Sequence, residues 1–178
     1  MEAKNKVFIA TSIDGYIADK EGKVDWLHDI AHAEGEDMGY VSFIEGIDAI
    51  LMGRVTFETV LGFGIDWPYT KPVFVLSTKL TSVPKELEGK VDLVNGNLSD
   101  VFKTIHEKGY TKVYVDGGST IRSCLKEDLI DEMTITQIPI VLGGGVKLFG
   151  DLEHSIKFKG VESNVFLGEV IQNRFVRV

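Results

Sequence analysis

The sequence predicts an α/β domain built on a mostly parallel, mixed sheet with helices on both faces and an antiparallel hairpin at its C-terminal end. Two observations carry this. Short continuous apolar runs alternate with helix-like segments from Val7 to Leu125. Such runs read as strands buried on both faces, and the alternation is that of parallel strands joined by crossover helices. Past Leu125 the pattern changes, because Glu132 to Ile138 reads as a strand with no helix after it.

The first strand is Val7-Phe8-Ile9-Ala10, continuing through Thr11-Ser12-Ile13. Asp14-Gly15 turns the chain into a short extended piece, Tyr16-Ile17-Ala18. Asp19 to Gly22 is a polar turn, and Val24 to Leu27 adds a large aromatic, Trp26. This loop either covers a ligand or is a surface excursion pinned by Trp26.

Glu34 to Gly46 is expected to be helical, with Tyr40, Val41, Phe43 and Ile44 on one apolar face. Asp37 precedes Tyr40 and Val41 by three and four residues, which puts it near the middle of that arc, with Glu36 nearer its edge. Two readings fit Asp37. Aimed at the core, its pKa rises and it can handle a proton. In an exposed first turn, it favours the helix dipole instead.

Ala49 to Met52 is a buried strand. Gly53-Arg54-Val55-Thr56 follows, then a helix from Phe57 to about Leu61. An arginine and a hydroxyl at a helix start suit a phosphate, which Arg54 meets bidentately and the free helix N–H groups meet from below. The bland alternative is a solvated arginine. Gly62 to Pro68 is a loop carrying Trp67.

Pro72 to Leu76 is a further strand ending in Ser77-Thr78-Lys79, either a solvated turn or a contact to phosphate or ribose. Val91 to Val94 is a strand, and Leu98 to Lys108 a helix stopped by Gly109. Thr111 to Val115 leads into Asp116-Gly117-Gly118-Ser119-Thr120, which opens a helix over Ile121 to Leu125. A strand, a double glycine and a helix start with hydroxyls make a phosphate cradle or an ordinary turn. Pro139 to Leu142 lead into the turn Gly143-Gly144-Gly145. Ser155 to Val161 and Val165 to Val178 read as the last strands, joined near Ser163-Asn164.

Ligands of parallel sheets bind beyond the carboxyl ends of the strands. Ser12 to Ile17, Gly53 to Thr56, Ser77 to Lys79 and Gly117 to Thr120 all follow strands, so one rim can gather them.

The totals narrow the function. At 178 residues and without repeat or linker, residues 1–178 are expected to form one domain. The net charge of -8 argues against a nucleic-acid partner. No apolar run approaches a membrane span and the N-terminus lacks a signal-peptide core, so a cytoplasmic protein is expected. The single cysteine, Cys124, forms no internal disulfide and reads as a small buried hydrophobe. His28 and His32 stand at i, i+4 without an identified third ligand, and no metal site is expected.

With these residues laid out, the chain resembles the dihydrofolate reductase-like superfamily, most of all the branch with the reductase domain of bacterial riboflavin biosynthesis. The match rests on Ser12-Ile13-Asp14-Gly15-Tyr16-Ile17-Ala18, Met52-Gly53-Arg54-Val55-Thr56-Phe57-Glu58, Val75-Leu76-Ser77-Thr78 and Val115-Asp116-Gly117-Gly118. Leu129-Ile130-Asp131-Glu132, followed by Pro139 and Leu142-Gly143, extends it over almost the whole chain.

The resemblance implies a three-layer fold on an eight-stranded mixed sheet, with NADPH as cofactor. It implies that Gly53, Arg54, Val55 and Thr56 meet the cofactor phosphates. Leu76, Ser77 and Thr78 then lie at the adenosine end, where Lys79 adds charge. Gly117, Gly118, Ser119, Thr120 and Ile121 wrap the pyrophosphate and nicotinamide side, and Ala10 and Ile17 flank the nicotinamide. Asp37 matches the substrate-anchoring acid by its helix position, and Thr136 the strand threonine that supports it. Ser12, Asp14 and Trp26 are placed at the substrate mouth, Asp14 having a turn role as its alternative. A Leu-Pro-x-Asp-like lead to the Asp37 helix is lacking, as is the H-x-E and P-C-x-x-C pattern of a zinc deaminase.

The expected activity is hydride transfer from NADPH to a small heterocycle, such as a ribosylaminouracil phosphate or a pterin. The rival readings are a non-catalytic nucleotide-binding or sensor protein on the same fold and a flavin-dependent protein. The C-terminal strands are expected to support a homodimer.

Overall fold

Alternating apolar runs do build a parallel sheet. The structure, a computed structural model, describes residues 3–27 and 36–178. His28, His32 and Glu34 fall outside these residues. Eight strands form one mixed sheet in the order β5-β4-β3-β6-β1-β7-β10-β9. They are β1 (Lys4–Ser12), β3 (Ala49–Gly53), β4 (Val73–Leu76), β5 (Val91–Val94), β6 (Lys112–Asp116), β7 (Glu132–Ile138), β9 (Phe158–Phe166) and β10 (Val170–Arg177). The strands from β5 to β7 in that order run parallel, and β10 is antiparallel to both β7 and β9. A separate ribbon pairs β2 (Tyr16–Ala18) with β8 (Val146–Lys147).

Helices cover both faces, giving three layers. On one face α1 (Tyr40–Glu45) and α2 (Arg54–Gly62) pack Phe43 and Phe57 against Ile50, Met52, Val73 and Val75. On the other, α3 (Leu98–Glu107) and α4 (Gly118–Lys126) pack Phe102, Ile105, Ile121 and Cys124 against Val7, Leu51, Phe74 and Val115. Each fully buried large side chain contributes about 1.5–3 kcal/mol. Asn97 caps α3 by accepting a hydrogen bond from the Asp100 N–H at 2.9 Å, a contact worth about 1 kcal/mol. Cys124 is buried and its thiol is pushed up to about 12 by desolvation, as suits a core residue.

Two expected elements differ. Of the helix expected over Glu34 to Gly46, the described part is helical at Tyr40–Glu45, because Met38 (φ 50°) and Gly39 (φ 82°) are left-handed and break the helical path just before it. Of its supposed apolar face, Val41 is 59% exposed. The C-terminal strands do not turn at Ser163-Asn164. Both residues lie inside β9, with Asn164 opposite Gln172, and the chain reverses at Leu167 (φ 55°) and Gly168 (φ 77°). Consecutive positive φ values reverse a hairpin in step with strand twist, and glycine adopts them without a Cβ penalty.

Candidate active site

β3 and β6 are neighbours in the sheet, with Met52 beside Asp116 at their carboxyl ends. The helices that follow them leave in opposite directions. After β3, α2 runs over one face toward β4. After β6, α4 runs over the other toward β7. This divergence is a topological switch point, and it opens a crevice where parallel sheets take ligands.

The crevice is a cavity of about 610 Å³. Gly53, Arg54, Val55 and Thr56 form one wall, and Gly117, Gly118, Ser119 and Thr120 form another. Ile17, Ala18 and Val146 of the β2–β8 ribbon close a third side, with Leu76 beyond. Neither helix N-terminus here carries a side-chain cap: Gly53 stands at that of α2 and Gly117 at that of α4. The first N–H groups of each helix are therefore free of intrahelical partners and present a partial positive charge to the cavity. Arg54 and Arg122 add two guanidinium groups to the lining. Arg54 is held by Glu58 one turn on, Nη1 to Oε2 at 2.5 Å, and Arg122 donates to the Lys147 carbonyl.

The glycines of these walls face the protein as well as the cavity. A Cβ on Gly117 would overlap Thr56 Oγ1, and one on Gly118 would overlap the Ile17 side chain. A Cβ on Gly53 would lie 2.8 Å from Thr120 Oγ1. The two helix starts and the ribbon are thus packed directly onto one another. Thr56 sets its hydroxyl against Gly117, where a Cβ would otherwise stand.

Asp116 lines the same cavity and is half-buried. Burial pushes its carboxyl above the ordinary range, against the Gly117 N–H donated at 2.8 Å and the nearby Tyr114 and Tyr69 hydroxyls. Burial, then the Asp116 charge, pushes the Tyr40 phenol up to about 12 and holds Tyr69 and Tyr114 higher still. Tyr114 donates its hydroxyl to the Phe8 carbonyl at 2.9 Å. Asp116 is expected only as part of the candidate cradle turn, not as a raised acid, and Arg122 is not among the residues expected at the site. Both had a signal: Asp116 ends the strand before the double glycine, and Arg122 stands one turn after Gly118 on the same helix face.

Asp37 requires a correction. It does not face the core: its carboxylate is exposed and accepts the Gly39 N–H at 2.9 Å and the Val41 N–H at 2.8 Å. These bonds at the start of α1 hold its acid below the ordinary range, not above it. Thr136 is buried, and its Oγ1 accepts from Gln172 Nε2 at 2.9 Å rather than contacting Asp37. Gln172 Nε2 also reaches the Met38 carbonyl at 2.9 Å, so it ties β7 to the turn after Asp37.

The residues expected at the substrate mouth serve the loop. Ser12 is buried, donates to Asp14 at 2.7 Å and accepts the Tyr16 N–H at 3.0 Å. Asp14 accepts the Leu142 and Gly143 N–H groups at 3.1 and 2.8 Å, which straps the first loop to the glycine-rich turn, and the Ser12 hydroxyl first, then these N–H groups, lower its pKa. Trp26 and Ala10 pack beside Ile138 and Val170 and do not line the cavity. Ile121 is fully buried in the core, and its N–H bonds to the Gly117 carbonyl, so it offers a ligand nothing. Ser77 accepts the Lys79 and Leu80 N–H groups at 3.0 Å each, shaping a turn. Thr78 and Lys79 are exposed beyond Leu76, outside the cavity lining. Among the described residues no cluster of metal-ligating side chains occurs, and no helix is long and apolar enough to cross a membrane.

The RibD C-terminal domain family model matches residues 5–171. A Shewanella sp. PV-4 protein assigned provisionally to riboflavin biosynthesis has a similar structure: TM-score 0.95, 52% identity, covering 98% of this chain and 99% of that one. A Thermotoga maritima diaminohydroxyphosphoribosylaminopyrimidine deaminase/5-amino-6-(5-phosphoribosylamino)uracil reductase matches with a TM-score of 0.74 and 17% identity. It is matched over 99% of this chain and 57% of its own length. Dihydrofolate reductase from Enterococcus faecalis, complexed with NADP(H), matches over 98% of this chain and 96% of that one, with a TM-score of 0.67 and 18% identity. The last two likenesses establish the dihydrofolate reductase-like fold.

Proposed function

The chain belongs to the RibD C-terminal domain family, and from that premise we propose that it is an NADPH-dependent reductase of a small heterocycle, a ribosylaminouracil phosphate or a pterin-like compound. One observation carries the cofactor reading. Two uncapped helix N-termini and two arginines meet in one cavity at a switch point of a parallel sheet. Aligned backbone N–H groups and guanidinium forks are a donor set for a pyrophosphate, and the Gly53 and Gly117 backbones are bare enough for close approach.

When bound, the dihydronicotinamide supplies the hydride. The chain's own residues do the rest. Arg54, Arg122 and the first N–H groups of α2 and α4 hold the anionic portion. Ile17 and the β2–β8 ribbon form an apolar wall that excludes water. Asp116, which lines the cavity and whose acid is raised by burial, is the group assigned to pass a proton to the heteroatom of a reduced C=N or C=O bond. The proton-handling role thus moves from Asp37 to Asp116, and Asp37 keeps a part in shaping the start of α1.

The test is the loss of NADPH near-ultraviolet absorbance on mixing with pyrimidine, pterin and carbonyl substrates, beside direct titration of NADPH binding. Turnover on a pyrimidine or pterin is the expected result. Tight binding with no turnover on any substrate would favour the nucleotide-binding or sensor reading. Failure to bind NADPH would overturn the cofactor assignment. A yellow preparation would favour a flavin.

A further inference from the structure

A second cavity lies on the α1 face of the sheet. Strand alternation and register set two cross-strand rows on that face. Phe8, Thr134, Arg174 and Glu162 are neighbours in one row, and Ala10, Thr136, Gln172 and Asn164 in the next. Thr134, Arg174, Glu162, Gln172 and Asn164 floor a cavity of about 430 Å³. Met38, Gly39, Ser42 and Phe43 wall it on the side of α1, and Phe166 walls it at the end of β9. Among the described residues it shares no lining with the cavity at the switch point.

The floor is polar and its charges balance. Thr134 and Gln172 are polar yet only 6% and 8% exposed. Gln172 Nε2 spends both hydrogens on the Met38 carbonyl and Thr136 Oγ1, which leaves its Oε1 as an acceptor. Arg174 meets Glu162 through Nε at 3.0 Å and Glu132 through Nη1 at 3.6 Å, and Nη2 enters neither contact. Lys6 stands 3.4 Å from Glu132. Two cations and two carboxylates line the cavity, each beside the opposite sign, so it has no net charge to attract an ion. A polar sheet face that served water alone would need no aromatic walls.

We propose that this cavity binds an uncharged polyhydroxylated ligand, a sugar or the sugar of a nucleoside. A sugar carries vicinal hydroxyls, each both donor and acceptor, along its edge and C–H groups on its faces. Arg174 Nη2 donates to such hydroxyls, and Gln172 Oε1 and the Glu162 carboxylate accept from them, with the strength that charged partners add. Phe43 and Phe166 meet the C–H faces. A Cβ on Gly39 would meet nothing within 4 Å, so the wall at the start of α1 is open to a ligand's approach. The volume lies within the about 300–1,000 Å³ typical of small-molecule sites.

Saturation-transfer NMR with ribose, uridine and uracil as probes tests this. Ribose and uridine are expected to bind at millimolar concentration and uracil not to. Equal affinities would assign the site to a free sugar, and tighter uridine to a nucleoside. Ser42→Trp, which fills the cavity from its α1 wall, is expected to abolish uridine binding with the far-ultraviolet circular dichroism unchanged. Glu162→Gln, on the floor, is expected to weaken it about tenfold, so a folding failure of one variant leaves the other to decide. Arg54→Ala is expected to bind uridine as the wild type does, whatever cofactor the first cavity takes. No binding of ribose or uridine would overturn the proposal, as would uracil binding where ribose does not. Uridine monophosphate binding tighter than uridine would make this an anion site and overturn it. Wild-type binding in both Ser42→Trp and Glu162→Gln, or its loss in Arg54→Ala, would place the ligand elsewhere and overturn it too.

Discussion

Gly117→Ala separates two reasons for a glycine at this turn. If Gly117 serves only to admit a ligand, the substitution weakens binding and leaves folding alone. The structure predicts otherwise. Gly117 has φ 89° and ψ 131°, and the space its Cβ would take is filled by Thr56 Oγ1. The backbone conformation costs an L-residue about 1–3 kcal/mol. Overpacking against Thr56 adds a further cost of about 1–3 kcal/mol. Thr56→Ala removes the obstructing oxygen and by itself should change stability by about 1 kcal/mol or less. The double variant should therefore recover the steric part and retain the backbone part, giving a coupling energy of about 1–3 kcal/mol. Urea unfolding followed by circular dichroism reads this out. With a slope of about 2 kcal/mol per molar, the Gly117→Ala midpoint should fall by about 1–3 M, and the double variant should lie between it and wild type. A Gly117→Ala midpoint equal to wild type, or a double variant no more stable than Gly117→Ala, would refute the packing argument.

Other substitutions test the site. Arg54→Ala should weaken NADPH binding by about 1–3 kcal/mol in a direct titration, through loss of charge-assisted hydrogen bonds; unchanged affinity removes Arg54 from the site. Glu58→Gln should tighten NADPH binding by about 1 kcal/mol or less, because the exposed ion pair no longer competes for the Arg54 guanidinium. Asp116→Asn should abolish most turnover yet stabilise the fold at neutral pH. The native carboxyl titrates above its unfolded value of 3.8, so the folded state binds more protons in between and wild-type stability falls as pH rises through that window. Chemical denaturation at a series of pH values should show the Asp116→Asn advantage vanish below the carboxylate range. Asp37→Asn should leave turnover near wild type, and a loss as large as that of Asp116→Asn would return the proton to Asp37.

The regular elements were legible because their causes are local. β7 runs from Glu132 to Ile138 as the apolar pattern requires, and β5 occupies Val91–Val94. The errors lie where backbone conformation overrides side-chain pattern. The apolar spacing before Gly46 is helical in period, yet Met38 and Gly39 adopt positive φ and delay α1 to Tyr40. Ser163-Asn164 has turn composition, yet Gly168 supplies the conformation a reversal needs and Asn164 is drawn into the ladder. Periodicity also gives a direction without a depth. It aims Asp37 inward, but that carboxylate ends a turn and is spent on two N–H groups at the surface. The carboxyl that does meet a low-dielectric environment is Asp116, whose acid is raised by burial at the end of a central strand, with Tyr69, distant in the chain, working against that shift.

Which strand-following segments share a rim is settled by strand order, which no local pattern contains. Gly53–Thr56 and Gly117–Thr120 meet because β3 and β6 are neighbours and their helices diverge. Ser77–Lys79 follows β4, one strand farther out, and only Leu76 of that segment reaches the cavity. Ser12 ends β1 on the other side of β6, where its hydroxyl builds the loop. The rim deduced from parallel connectivity does bring Gly53–Thr56 and Gly117–Thr120 around one cavity, while Ser77–Lys79 and Ser12 stand outside its lining. Its working part is the pair of adjacent strands between which the crossovers change direction, because only there do two helix N-termini point into one crevice. The same geometry explains the density of glycine at that point. Two helix starts brought this close leave no volume for Cβ atoms at Gly53 and Gly117, and Ile17 of the ribbon takes that of Gly118, so the glycines are required by packing before any ligand arrives. A substitution that fills one of them must displace the side chain packed against it, Thr120, Thr56 or Ile17, and so disturb the cavity wall even where the new side chain does not enter the cavity.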